Sequence, residues 1–171
     1  SSGSASGCYS IGLPANSGVS ALPVTSQCYP ITIGAGGASV PNSGNGSNVM
    51  GNRGSNSIFS SITSTGGGGG GASDGSITNG PGGSGGGGSG GGQCRPGGTG
   101  NTPPVTPSQG NNGGSNVTPH SPDISSTGGG GASAAGKNNG ADGNPQQYGT
   151  NGGIGATSSI TGSAVGYAGG G

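Results

Sequence analysis

Ser60-Ser61-Ile62-Thr63-Ser64-Thr65 runs directly into six glycines, 66–71, and then Ala72-Ser73. The first half favours an extended chain, because β-branched side chains fit a pleated surface. The second half has no side chains to pack at all. The same join recurs along the chain. Ile124-Ser125-Ser126-Thr127 precedes glycines 128–131 and Ala132-Ser133. Ser158-Ser159-Ile160-Thr161 repeats Ser60-Ser61-Ile62-Thr63 and leads through Tyr167-Ala168 to glycines 169–171. A short β-branched strand followed by oligoglycine is therefore the unit, and its irregular spacing disfavours a strict solenoid.

The rest of the composition sharpens the problem this unit poses. The chain holds 50 glycines and 12 prolines in 171 residues, but only 19 Leu, Ile, Val and Phe. Ordering each residue costs about 1–2 kcal/mol of backbone entropy, and glycine loses the most. Apolar burial at about 25 cal/mol per Å² cannot offset that with so few large side chains. Disordered chains usually carry net charge. Here Arg53, Arg95 and Lys137 balance Asp74, Asp123 and Asp142. That balance leaves no basic footprint for nucleic acid and no attraction to an anionic membrane surface. Apolar runs stop at two or three residues, too short for a membrane span or a signal peptide. The chain starts at Ser1 and ends inside a glycine run, and reads as a piece of a longer polypeptide.

Residues 1–63 hold most of the large side chains and form one expected segment. Tyr29, Ile31 and Ile33 alternate before Gly34, which predicts a strand. Pro23 and Pro30 confine it to an edge or interrupt it. Residues 57–63 predict a second strand, with Ile58 and Ile62 on one face and Phe59 on the other. Residues 158–167 predict a third. Together they are expected to form one small sheet, with Tyr9, Tyr29, Phe59 and Tyr167 packed on it. No window has helical periodicity, so no α-helix is expected.

Residues 64–171 form the second expected segment. Gly82, Gly85, Gly88 and Gly91 are spaced by three, as are Gly140, Gly143, Gly149, Gly152 and Gly155, with Gln146 breaking the register. Three residues per turn is the repeat of the polyproline II conformation. Glycine on one face of such a helix lets backbones approach closely, as in collagen, although strict Gly-X-Y is absent. The expected fold is a bundle of polyglycine II helices with a few short β-strands, mostly irregular by standard assignment. Each helix must find its hydrogen bonds in its neighbours. The run 66–71 would extend about 19 Å. A flexible glycine-serine linker is the competing reading.

Four stretches resemble the glycine-rich domains of bacteriophage tail proteins. They run from Tyr29 to Gly37, from Gly54 through Thr65 and its glycine run, from Gly100 to Gly114, and from Ser158 to Gly171. The resemblance implies a polyglycine II sandwich similar to that of tail adhesins, with variable loops that contact host receptors. It implies a virion-tail, extracellular setting. The implied partners are a bacterial outer-membrane protein or glycan and other tail-fibre subunits, with a homo-oligomer allowed.

Candidate receptor residues follow from side-chain type. Asn144-Pro145-Gln146-Gln147-Tyr148 interrupts the glycine register, so a loop would project there. Planar amides and a tyrosine offer contact area at low entropy cost. Its plainer alternative is a turn with Tyr148 packed back on glycine. Asn116 to Asp123, with His120, is a second candidate. Cys8, Cys28 and Cys94 match no zinc or redox spacing. They read either as reduced and buried, or with a Cys8–Cys28 disulfide and Cys94 left over.

One histidine, no glutamate and three scattered aspartates give no acid–base pair. His120, Asp123 and any of many serines make a triad only on paper. Lys137 lacks the glycine spacing and helix of a phosphate loop. The expectation is a non-enzymatic module with no cofactor and no metal. Its rivals are a non-viral extracellular filament or sheath subunit and an ice-binding polyglycine protein. The irregular loops argue against the latter.

Overall fold

The computed structural model describes residues 23–40, 49–72, 79–90, 94–117, 126–139, 149–159 and 161–171. Among them there is no helix, and five strands of two or three residues are the only regular elements. The strands are β1 (Ile31–Thr32), β2 (Ser57–Phe59), β3 (Ile62–Ser64), β4 (Ala156–Ser158) and β5 (Val165–Tyr167). β1, β2 and β3 form one antiparallel sheet in that order, and β4 and β5 form another. Two sheets thus replace the single one expected.

The stretch 57–63 is a hairpin rather than one strand. Ser60 adopts φ 53°, as the first residue of the primed two-residue turns requires. The reversal sets Phe59 opposite Ile62 and Ile58 opposite Thr63. Phe59 and Ile62 therefore share a face, and Ile58 lies on the other, the reverse of the single-strand expectation. The stretch 158–167 also folds back. Gly162 takes φ 92° in its turn, and Ser158 pairs with Val165. β1 is an edge strand that begins just after Pro30, so no ladder donor is lost. The Pro30 carbonyl instead accepts from Ser60 N–H at 3.0 Å. Tyr29 stacks on Phe59 with ring centroids 5.6 Å apart. Tyr167 lies on β5 but is 47% exposed.

Most of the molecule is held by backbone ladders between irregular segments. Gly68 and Gly71 donate to Ser84 and Gly87 at 2.8 and 3.0 Å. Gly85 and Gly88 donate to Asn111 and Gly114, both at 3.0 Å. Gly130 and Thr127 donate to Gly85 and Gly88 at 2.9 and 2.8 Å. Gly136 and Asn139 donate to Asn112 and Ser115, both at 3.0 Å. In each pair donor and acceptor alike step by three residues. A β-ladder has a side-chain period of two. A step of three is the turn of a polyproline II helix. The segments run parallel in the first, second and fourth ladders and antiparallel in the third.

The ladders place the segments in layers. The middle layer is 79–82, 84–90, 126–132 and 149–155, joined by Gly86 to Gly80, Thr127 to Gly88 and Gly153 to Gly129. One outer layer is 94–99, 109–117 and 134–139, joined by Gly113 to Gly98 and Gly136 to Asn112. On the other face lie 66–71, bonded to 84–90, and 168–171, bonded to 126–132. Segment 51–56 pairs with 66–71 through Gly51 to Gly70 and Gly54 to Gly67, and Ser55 then pairs with Ala35.

At most positions of the bundle glycine is required because the packing leaves no room for Cβ. A Cβ on Gly113 would meet Gly86 O, and one on Gly86 would meet Gly69 O, both far inside the 3.0 Å that real Cβ atoms keep. Such spacing also favours Cα–H···O contacts. An apolar core is nearly absent among the described residues. Ala72 is the one buried hydrophobic residue among those described, while Ile33, Ile154 and Ile31 are 82%, 72% and 65% exposed.

Candidate functional site

The two ends of the bundle differ. At one end sit both sheets, the bends at 82–84 and 132–134, and the loop 101–109. Gln109 ties this loop to the hairpin by accepting from Thr65 N–H at 2.6 Å and donating Nε2–H to Thr63 O at 3.1 Å. Asn101 anchors it from within. The Asn101 Oδ1 accepts from Val105 and Gln109 N–H at 3.2 and 3.3 Å, and its Nδ2 donates to Val105 O at 3.0 Å. Asn101 sits at φ 48°, a region Asn tolerates better than most residues. The Thr102–Pro103 and Thr106–Pro107 peptides are cis. Pro103, Pro104, Val105 and Thr106 are exposed on this braced loop.

At the opposite end the ladders close on a buried polar cluster. Arg95 and Asn116 exchange backbone hydrogen bonds at 2.8 Å in both directions, and Asn116 bridges to Asn139. The Arg95 Nη1 donates to Ala72 O at 2.9 Å. Ser89 Oγ donates to the same carbonyl, and Asn79 Nδ2 donates to Pro96 O. Arg95, Asn79, Asn116 and Asn139 are all at most 4% exposed. Thr127 Oγ1 accepts from Gly88 N–H at 2.7 Å and reaches Gly114 O at 2.6 Å. Polar side chains here do what an apolar core does elsewhere: they join neighbouring segments and satisfy their backbone groups.

The sequence-derived candidates map onto this polar end only through their flanks. His120, Asn144, Gln146, Gln147, Tyr148 and Cys8 lie outside the described residues. The described residues flanking them, Val117 and Ser126 around one stretch and Asn139 and Gly149 around the other, belong to the polar end. There Asn139 bonds Ser115, and Thr150 bonds Ser126. Cys28 and Cys94 are both exposed, which corrects the expectation of buried thiols. Apart from Ala72, the buried positions among the described residues are filled by glycine and polar side chains, and no apolar core is there to hold a thiol. Cys94 Sγ reaches Val117 O at 3.5 Å.

Sequence reasoning missed Arg95 and Asn101. Arg95 stands alone in Cys-Arg-Pro-Gly, with no acidic residue nearby in sequence to signal burial. Asn101 had a usable signal, since Asn before Thr-Pro-Pro is a turn-forming arrangement. Among the described residues, no three His, Cys, Asp or Glu come together in a way that could hold a metal ion. No helix of the described residues is long and apolar enough to cross a membrane.

A family model described as a glycine-rich domain matches residues 1–171, the whole chain. The chain belongs to the glycine-rich domain family. No curated protein matches it, and no solved structure does. In this glycine-rich domain, most of the described bundle glycines sit where neighbouring backbones come together. The loops and the buried polar cluster are what distinguish its two ends.

Proposed function

We propose that this glycine-rich domain is a structural and host-attachment module of a bacteriophage tail fibre or tail tip. The observation behind this reading is the ladder architecture. It fixes segment after segment by backbone bonds, and it gathers the flanks of both candidate loops at one end. Such a scaffold holds loops in place without a hydrophobic core. Loops on a rigid scaffold are where recognition usually lies. Asn144, Gln146, Gln147 and Tyr148 are the proposed contacts with a bacterial outer-membrane protein or glycan, with His120 on the neighbouring connection. The sheet end would face other tail-fibre subunits. The setting is extracellular, on the virion, and the role needs neither cofactor nor catalysis.

The test is cell binding. The purified domain, fluorescently labelled, should bind susceptible bacteria saturably. Tyr148→Ala with Gln147→Ala should reduce binding at least tenfold without moving the melting temperature. A folded domain that binds no susceptible cell, while the intact fibre does, removes the attachment role.

A further inference from the structure

We infer that the groove between 66–71 and 168–171 is a position in the helix lattice that none of the described residues fills, shaped to take one polyglycine II strand from a separate polypeptide. The inference stands on ladder geometry and is independent of the attachment reading. The groove has a volume of about 620 Å³ and is floored by 84–89 and by Ser126, Thr127, Gly129 and Gly130. In a layered array, one further segment would rest on both floor segments and touch both walls.

The hydrogen bonds of the floor and wall show what is missing. Successive groups of a three-residue helix point about 120° apart. In 84–90, Gly85 and Gly88 direct their N–H groups at 109–117, and Gly86 directs its N–H at Gly80. The third direction belongs to Ser84 and Gly87, whose N–H groups donate to nothing among the described residues. In 126–132, the carbonyls of Gly128 and Gly131 accept from 109–117, and those of Ser126 and Gly129 accept from 149–155. The carbonyls of the third pair, Thr127 and Gly130, accept nothing among the described residues. In the wall 66–71, Gly67 and Gly70 accept from 51–56, and Gly66 and Gly69 accept from Gly83 and Gly80. Gly68 and Gly71 are left over. All six leftover residues line the groove, and each leftover pair is spaced by three.

This pattern selects the occupant. Donors and acceptors at a three-residue step match another polyglycine II strand and mismatch a β-strand. The lining holds only Gly, Ser, Thr, Gln and Ala, so no charge pairs with a charged peptide and no large apolar side chain anchors a hydrophobic one. A strand touching floor and walls has room for a side chain only on its outward face. It must carry glycine at about two of every three positions. About six residues, or about 19 Å, would lie alongside 66–71.

The experiment titrates the full 171-residue chain with an acetylated hexaglycine peptide flanked by lysine pairs. Its control has alanine at all six positions. Amide hydrogen exchange and calorimetry read the result. The glycine peptide should bind saturably and slow exchange at Gly87 at least tenfold, and the control should do neither. Gly70→Tyr places its Cβ where nothing lies within 4 Å. It should weaken peptide binding at least tenfold and leave exchange at Gly86 and Gly98 unchanged. Three outcomes overturn the proposal. One is no effect of the glycine peptide, or an equal effect of the control. The second is Gly87 already protected in the dilute free chain, which gives the position to the chain itself. The third is protection that appears with self-association, which gives it to a second copy.

Discussion

Replacing Gly86 by alanine, set beside the same change at Gly70, isolates what glycine does in this bundle. Both residues sit in oligoglycine runs, and neither has the positive φ that would penalise alanine by itself. They differ in surroundings. A Cβ on Gly70 meets nothing within 4 Å, whereas one on Gly86 overlaps the Gly69 carbonyl oxygen and crowds Gly70 N. Both obstacles are backbone, so no side chain can swing aside. Relieving the overlap means separating 84–90 from 66–71. Overpacking of this kind costs about 1–3 kcal/mol. The Gly86 bonds to Gly80 and from Gly98, at 3.1 and 2.8 Å, would strain as the segment shifts, at about 0.5–1.5 kcal/mol each. Reduced entropy of the unfolded chain returns only about 0.4–1 kcal/mol. The expected net loss for Gly86→Ala is about 3 kcal/mol, a large fraction of the about 5–15 kcal/mol of a whole domain. For a chain of this size that lowers the melting temperature by about 6–12 °C. Gly70→Ala should leave it unchanged or raise it slightly. Thermal unfolding by circular dichroism or calorimetry measures both. Equal melting temperatures for the two variants would refute close backbone packing as the source of stability.

Other residues give sharper local tests. Arg95→Leu removes the buried donor to Ala72 O and should destabilise the chain by about 2–4 kcal/mol, read as a shift in urea midpoint. A midpoint within error of the parent would mean the polar cluster contributes no stability. Asn101→Gly keeps the backbone angle but deletes three hydrogen bonds, so it should cost about 1–2 kcal/mol and speed protease cleavage within 101–109. Unchanged cleavage contradicts the bracing role. The Tyr29 phenol is held below the ordinary tyrosine value of 10.0 by the Thr25 side chain and then by the Thr25 backbone N–H, at 3.4 and 2.8 Å. A depressed folded value means the sheet gains stability as pH rises through it toward 10. Absorbance titration should show Tyr29 ionising below 10.0, and Thr25→Val should raise its ionisation back toward that value.

The bundle was legible in the sequence because its cause is compositional. Gly82, Gly85 and Gly88 announce a three-residue repeat, and the structure buries all three in contact with neighbouring backbones. The hairpins were less legible. Ser60 and Ser61 carry no turn signature as strong as Asn-Gly, so 57–63 reads as one strand until tertiary packing bends it. The division into two sheets follows from which bundle segments the strands extend, and local pattern holds no record of that. The polar cluster was invisible for a related reason. Asn79, Arg95, Asn116 and Asn139 are far apart in sequence and meet only through ladder register.

Native-state amide hydrogen exchange tests the central claim most directly, since it asks each glycine whether its N–H is held by a neighbour. The account predicts strong protection at Gly86, Gly98, Gly114, Gly130 and Gly153, each bonded across segments, beside fast exchange at Gly67 and Gly70. Uniform exchange at the rate of a short unstructured peptide across all seven would contradict it.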